Sequence, residues 1–299
     1  MLGKVRLMGR LVRAVATRDP DRRVGLLYQL SDPDAQFAQR STRYTNIGYW
    51  ASDETTVDEA GEAAAVLLAD TARLGPGQDV LDVGCGYGDQ DFLWLRDWQP
   101  RSIHAIDMAP RQIEHARRRA VAEGEAEDRL DFQVGSATEL PYPDGSFDRV
   151  VTLDAAMHFH TRAGFFREAY RVLRPGGLLA SIDTLPVDAA TPPTFFRTPR
   201  LSLYRFSIPA DNWYDRSDYA GHLADAGFAD GRVTSIRELS WEPWFRHWSR
   251  LANEPEARRH VPAEVAATVD REWSDCARIR HEVDHLDYVC AVAAKPADF

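Results

Sequence analysis

The chain has 299 residues, with 36 Lys and Arg against 46 Asp and Glu, for a formal charge of −10. That length suits one large domain, or one domain with an added cap, and it is long enough to bury a sizeable core. The acidic balance argues against a nucleic-acid partner, and no apolar run approaches the roughly 20 residues that span a bilayer, so no stable membrane insertion is expected.

Residues 1–18 read as a basic amphipathic helix. Leu2, Val5, Leu7, Leu11 and Val15 recur at helical spacing, with Lys4, Arg6, Arg10 and Arg13 between them. Those arginines break the apolar core that a signal peptide needs. Three scattered cysteines, Cys85, Cys276 and Cys290, fit a reducing compartment. A cytoplasmic protein is expected, with the N-terminal helix packed on its own domain or at a homo-oligomer contact. Contact with an anionic membrane surface is the alternative for this helix.

Residues 40–52 form a linker containing Asn46 to Trp50, so the chain divides into an N-terminal entry segment, 1–52, and a main domain, 53–299. A helix is predicted from Val57 to Leu74, stopped by Gly75, Pro76 and Gly77. Strands are predicted at 79–83, 103–107, 130–134, 147–153 and 178–183, and helices at 89–98, 110–123 and 162–174. This alternation predicts an α/β fold, a mostly parallel sheet with helices on both faces. After Asp183 the pattern changes. Residues 186–285 hold five of the eight tryptophans, with helical patterns at 195–206, 216–227, 241–254 and 264–282. Strands at 231–238 and 288–293 return to the sheet, making seven, and the helices between them read as a substrate cap inserted after strand five.

The most informative stretch joins the first strand to the next helix: Asp82, Val83, Gly84, Cys85, Gly86, Tyr87, Gly88. A glycine-rich turn there lets a ligand approach bare backbone at the C-terminal edge of a parallel sheet. The spacing is G-x-G-x-G, whereas the dinucleotide fingerprint places its third glycine where this chain has Asp89. Asp89 and Asp91 open the helix on which a pyrophosphate would sit, and they would repel it. A ligand carrying an ammonium and a sulfonium tolerates them, which points to S-adenosylmethionine. Asp107, 19 residues after Gly88, ends the second strand, where a carboxylate accepts ribose hydroxyls. Its other reading is the N-cap of the helix after Pro110.

These residues resemble the class I S-adenosylmethionine-dependent methyltransferases, in particular their small-molecule, type 11 branch. The resemblance rests on the runs Val80–Gly88, Ile106–Asp107, Leu140–Asp148 and Arg171–Gly177, and it covers about residues 78–185. The Asn46–Trp50 phrase and the ending Asp287–Pro296 are similar to rebeccamycin-type sugar O-methyltransferases; the cap matches poorly. The resemblance implies a Rossmann-like domain with S-adenosylmethionine as cofactor and a small-molecule acceptor as partner. It also implies donor contacts at Asp82, Gly84, Cys85, Gly86, Gly88, Asp107, Met108, Gln112, Ser136, Ala137, Leu153 and His158. Ser136 stands where the family usually has Asp, so its contact with the adenine is uncharged. Tyr49 and Trp50 either close over the donor or pack the entry segment onto the core.

The donor is already activated, so the enzyme must align the reacting groups and exclude water, and an oxygen nucleophile also needs a base. The resemblance places base elements at His158 and Asp183. Met157 stands where the related enzymes have a first histidine, and His160 is an extra candidate two residues on. The other reading of His158 is a wall of the donor pocket, and of His160 a surface or helix-cap residue. The expected function is methylation of a small hydrophobic natural product, as in secondary metabolism and antibiotic biosynthesis, with O-methylation first. C-methylation of a prenyl or terpenoid group, as in teleocidin-type enzymes, stays open because the cap aromatics Trp241, Trp244, Phe245 and Trp248 could stabilise a cation. They could equally form the core of the cap. A cofactor-binding cyclase or interaction module that does not methylate is the competitor from another class. The run from His281 to His285 matches H-E-x-x-H, but with 14 residues left for a final strand it reads as a charged helix end, and no metal site is expected.

Overall fold

Strand β1, Asp79–Val83, is buried over its last four residues, as a central strand covered on both faces must be. Strands β2 (Ser102–Asp107) and β4 (Phe147–Leu153) flank it, with β3 (Leu130–Val134) and β5 (Leu173–Pro186) outside them, all parallel. β7 (Leu286–Ala294) runs antiparallel between β5 and β6 (Ala229–Ser235), which gives the order β3-β2-β1-β4-β5-β7-β6. The predicted seven-stranded, mostly parallel sheet is the one observed. The order reverses between β1 and β4, and in open α/β sheets ligands bind at that switch point, outside the carboxyl ends of the strands.

The computed structural model describes residues 41–53, 55–198, 207–259 and 263–297, together with Ala16, Thr17, Arg23, Val24, Leu26, Leu201 and Val261. The basic helix expected at 1–18 lies outside the described residues except for Ala16 and Thr17, as do 202–206 of the helical pattern at 195–206. No helix among the described residues is long and apolar enough to cross a membrane.

Helix α1 spans Val57–Ala72 and starts in a capping box. Thr56 accepts from the Glu59 amide, and the Glu59 carboxylate accepts from the Thr56 amide. Its buried face is built of small residues (Ala60, Gly61, Ala64, Ala65, Ala69, Ala72) around Leu68. Then come α2 (Asp89–Asp97), α3 (Pro110–Glu123), α4 (Arg162–Val172), α5 (Arg216–Asp225), α6 (Trp241–Asn253), α7 (Ala263–Glu272) and α8 (Cys276–Val283).

Period-two alternation sorts the buried side chains into two cores. Val80, Ile103, Ala105, Val151, Leu153, Ala180 and Ile182 face one side and pack with α1, α2 and α3. Leu81, Val83, Ile106, Val150 and Leu179 face the other, with Phe165 and Phe166 of α4 and Tyr219 and Leu223 of α5. Trp241, Trp244, Trp273 and Ile279 belong to the first core, continuous with α1.

Among the boundaries that differ from the sequence expectation, three have a clear physical cause. β5 runs on to Pro186 because β7 pairs with it through Pro186↔Leu286, a partner that local pattern does not reveal. The helical stretch at 264–282 is two helices, and Asp275 restarts the second by accepting from the Arg278 amide. The strand at 231–238 lies at 229–235, in register with β7, and Arg237–Leu239 forms a 3₁₀ turn.

Candidate active site

The loop from β1 to α2 turns on glycines in the left-handed region, with Gly84 at φ +83°, Gly86 at +58° and Gly88 at +81°. At two of them a side chain also has no room: a Cβ on Gly84 would lie 2.4 Å from Ala155 Cβ, and one on Gly88 2.7 Å from the Phe132 ring. At Gly86 the space is open. The amides of Gly84 and Cys85 donate to Ile106 O at 2.8 and 3.1 Å. Asp107 completes the junction, accepting from the Gly86 amide at 3.0 Å and the Ala109 amide at 2.8 Å. A carboxylate so placed can also accept a ligand hydroxyl.

This loop, the end of β2 and the end of β4 border an open cleft. Gly84, Gly86, Asp107, Met108, Gln112, Ala137, Leu153 and His158, all singled out from sequence, line it, with Thr45, Asp154 and Phe159 among the further wall residues. The others stand back from it. Asp82 and the Cys85 side chain are buried beneath the loop. Gly88 packs on Phe132. Ser136 turns its hydroxyl to Thr138, accepting from the Thr138 amide at 3.3 Å, and its neighbours Gly135 and Ala137 form the wall. Tyr49 packs partly buried against the core, its amide donating to Ala60 O at 2.8 Å. Trp50 is buried and touches the ring of His247 on α6. His160 is exposed outside the cleft.

The acids that open α2 have settled partners. Asp89 pairs with Arg119 of α3 at 3.1 Å. Asp91 is wholly buried beside Asp82. Burial first, and then the mutual repulsion of the two groups, pushes Asp91 well above the usual carboxylate range. Gln90 Nε2 donates to Asp82 at 2.8 Å and to Cys85 O at 2.9 Å. The described lining of the cleft includes the carboxyls of Asp107 and Asp154 and no Lys or Arg. With no cation among those described residues to meet it, a pyrophosphate is disfavoured there.

At the other end, His158 Nδ1 lies 3.2 Å from Ser207 O. A carbonyl only accepts, so Nδ1 carries the proton and the neutral ring keeps its lone pair on Nε2. Burial, reinforced by the nearby Arg162 guanidinium, pushes the imidazole pKa down to about 4. The ring lies deep in the protein yet stays partly accessible because it faces the cleft. Asp183 is fully buried. It accepts from Arg162 Nε at 2.7 Å, the Met157 amide at 3.0 Å and the Thr184 amide at 2.9 Å. Glu282 of the H-E-x-x-H run is also buried, and it accepts from the Arg197 and Thr198 amides.

Of the wall residues not anticipated from sequence, Asp154 carries the most chemistry. The one signal for it was its place directly after Leu153 at the end of a strand. Thr45 and Val24 reach the cleft by tertiary folding alone.

A doubly wound sheet with a G-x-G-x-G loop and an acid at the switch point defines a class I S-adenosylmethionine-dependent methyltransferase. The chain belongs to this family: residues 81–181 match the methyltransferase domain model. It is 37% identical to the erythromycin 3''-O-methyltransferase of Saccharopolyspora erythraea, over 93% of this chain and 91% of that one. It is 30% identical to the 27-O-demethylrifamycin SV methyltransferase of Amycolatopsis mediterranei, over 83% and 89%. Among solved structures, the [4+2]-cyclase SpnF shares the fold at a TM-score of 0.70 and 22% identity, covering 92% of this chain and 97% of that one. A geranyl diphosphate methyltransferase with sinefungin does so at 0.70 and 16%, covering 92% and 99%. The protein is an S-adenosylmethionine-dependent enzyme.

Proposed function

We propose that this enzyme methylates a hydroxyl group on a small, largely hydrophobic natural product, in antibiotic-type secondary metabolism. The observation that carries this reading is His158, which faces the same cleft as Gly84, Gly86 and Asp107 with a neutral ring and its lone pair on Nε2. The end-to-end likeness to two enzymes named for O-methylation supports it.

Gly84 and Gly86 would cradle the methionine end of S-adenosylmethionine, Asp107 would accept the ribose hydroxyls, and Met108, Gln112 and Ala137 would flank the base. When bound, the cofactor supplies an electrophilic methyl on its sulfonium. His158 Nε2 would accept the hydroxyl proton of the acceptor as that oxygen becomes alkylated. Asp183 would act through position, because its hydrogen bond to the Met157 amide fixes the turn that carries His158. The enclosed wall of Leu153, Ala155 and Phe159 would exclude water. A cytoplasmic enzyme assembling through residues 1–18 remains part of the proposal; a variant lacking them that keeps its native mass in solution would remove the assembly.

The test is incubation of the purified protein with methyl-labelled S-adenosylmethionine and hydroxyl-bearing glycosylated macrolides and ansamycins. A labelled methoxy group is the expected product. Label on carbon would favour the C-methylation reading. Tight cofactor binding with no labelled product from any acceptor would favour a protein that binds the cofactor without methylating.

A further inference from the structure

Asp154 follows the last residue of β4 in a left-handed conformation, φ +54°, which residues other than glycine seldom adopt. Its amide donates to Ile182 O at 2.7 Å. Its carboxyl faces the cleft and meets two other segments of chain. Oδ2 accepts from the Ile47 amide at 3.2 Å, across 107 residues of sequence. Oδ1 accepts from Thr184 Oγ1 at 3.3 Å. The entry segment and β5 therefore converge on one side chain.

The entry segment is also held by the buried side chains of Tyr44, Ile47 and Trp50 and by the Tyr49 amide, which donates to Ala60 O at 2.8 Å, while Asp154 ties it to the end of β4. Trp50 Nε1 closes it on itself by donating to Ile47 O at 3.0 Å, and Asn46 Nδ2 reaches Gly61 O at 3.3 Å. Farther along, the Trp50 amide donates to Leu239 O at 2.7 Å. Thr45, two residues before Ile47, is part of the cleft wall. The contact between Ile47 and Asp154 thus lies between the donor cleft and the part of the chain that leads to α6.

We infer that Asp154 is a positioning residue: its carboxyl holds the entry segment against the end of β4, so that the donor cleft is complete only while that contact is made. With a donor on each carboxyl oxygen, from the entry segment and from β5, the group is engaged in holding chain rather than in taking a proton from an acceptor. The inference rests on reading the cleft as the S-adenosylmethionine site, and its test reads cofactor binding directly, with no acceptor needed.

The experiment is calorimetric titration of S-adenosylhomocysteine into the full chain, wild type, Asp154→Ala and Asp154→Asn, with amide hydrogen exchange followed at Ile47. Asparagine keeps an oxygen for the Ile47 amide, and its NH₂ can donate to the Thr184 hydroxyl. Asp154→Ala is expected to weaken binding by about tenfold or more and to speed exchange at Ile47, whereas Asp154→Asn stays within about threefold of wild type. Wild-type affinity in Asp154→Ala overturns the inference, and so does an equal loss in Asp154→Asn, which would mean that charge or a proton is what counts. If the alanine variant does not fold, the asparagine variant decides alone: retained binding with a protected Ile47 amide supports the inference, and lost binding overturns it. Failure of the wild type itself to bind would instead remove the cofactor reading of the cleft.

Discussion

Arg162 and Asp183 meet at 2.7 Å, Nε to Oδ2, with side chains 1% and 0% exposed. Arg162 also donates to Thr184 O at 2.8 Å and to Asn212 O, and its own amide donates to Asn212 Oδ1 at 2.8 Å. The pair therefore binds the start of α4 to the end of β5 and to the stretch before α5. Through Met157 it also fixes the turn that carries His158.

Removing one partner of such a pair leaves an uncompensated buried charge. Arg162→Met is expected to lower unfolding free energy by about 3–5 kcal/mol, while Arg162→Met combined with Asp183→Leu recovers much of the loss. Urea denaturation of the single and double variants reads this. A single-variant loss below about 1 kcal/mol would mean that the charges are solvated.

The glycines of the loop should separate folding from binding. Gly84→Ala forces a Cβ to 2.4 Å from Ala155 at φ +83°, and about 2–4 kcal/mol of stability should be lost. Gly86→Ala meets no atom of the described residues within 4 Å. It should cost only about 1–2 kcal/mol of backbone strain, but Gly86 lines the cleft, so S-adenosylhomocysteine affinity should fall by about tenfold or more. Thermal melts with and without the ligand distinguish the two outcomes, and equal effects at both positions would contradict the geometry.

His158 sets the acid limb of activity. Burial lowers its pKa to about 4, so the ring stays neutral, and able to accept a proton, down to that pH. The kcat/KM profile should therefore be flat with respect to this group between about pH 6 and 8 and should fall only on approaching pH 4. His158→Ala should lower kcat by about 10²-fold with little change in cofactor affinity. An acid limb near the ordinary histidine value of about 6.5 would mean that the ring is better solvated than its burial implies, and an unaltered kcat in the variant would take His158 out of the role of base.

Acid should weaken the fold partly through Asp79. Hydrogen bonds from Arg101, Arg174 and Ser102 hold its carboxyl far below the usual range, with Arg174 at 2.9 Å. A depressed folded-state pKa means that the unfolded chain binds the proton more readily, so this contribution is complete above the unfolded value of about 4 and fades as pH falls below it. Asp79→Asn should cost roughly 1 kcal/mol at pH 7, since both arginines are partly exposed. The gap between variant and wild type should narrow by pH 3; a gap that widens in acid would reverse the assignment.

Much of this was legible in the sequence, because β1, β2 and β4 are central strands whose apolar runs need no partner to be recognised, and because Gly84, Gly86 and Asp107 lie close to one another along the chain. The site residues that escaped notice come from elsewhere. Thr45 and Asp154 come to one cleft from distant parts of the chain, and an aspartate in a left-handed bend has no periodic signal. Asp89 and Asp91 do open α2, but Arg119 pairs with the first and the second is buried beside Asp82, so neither faces the ligand, and the carboxyls at the cleft wall are those of Asp107 and Asp154. The number and spacing of the tryptophans are plain in the sequence, whereas the core that Trp241, Trp244 and Trp273 share with α1 is not.

That shared face bears on how chains of this kind can be recombined. Segments exchange between relatives with least loss of stability where little buried surface crosses the junction. Residues 236–285 place Trp241, Trp244, Trp273 and Ile279 in the same core as Ala64 and Leu68 of α1, so a graft of those helices alone from a relative would meet a foreign α1 surface. Moving α1 together with them keeps more of that core together, while α4 and α5, on the other side of the sheet, can stay with the recipient.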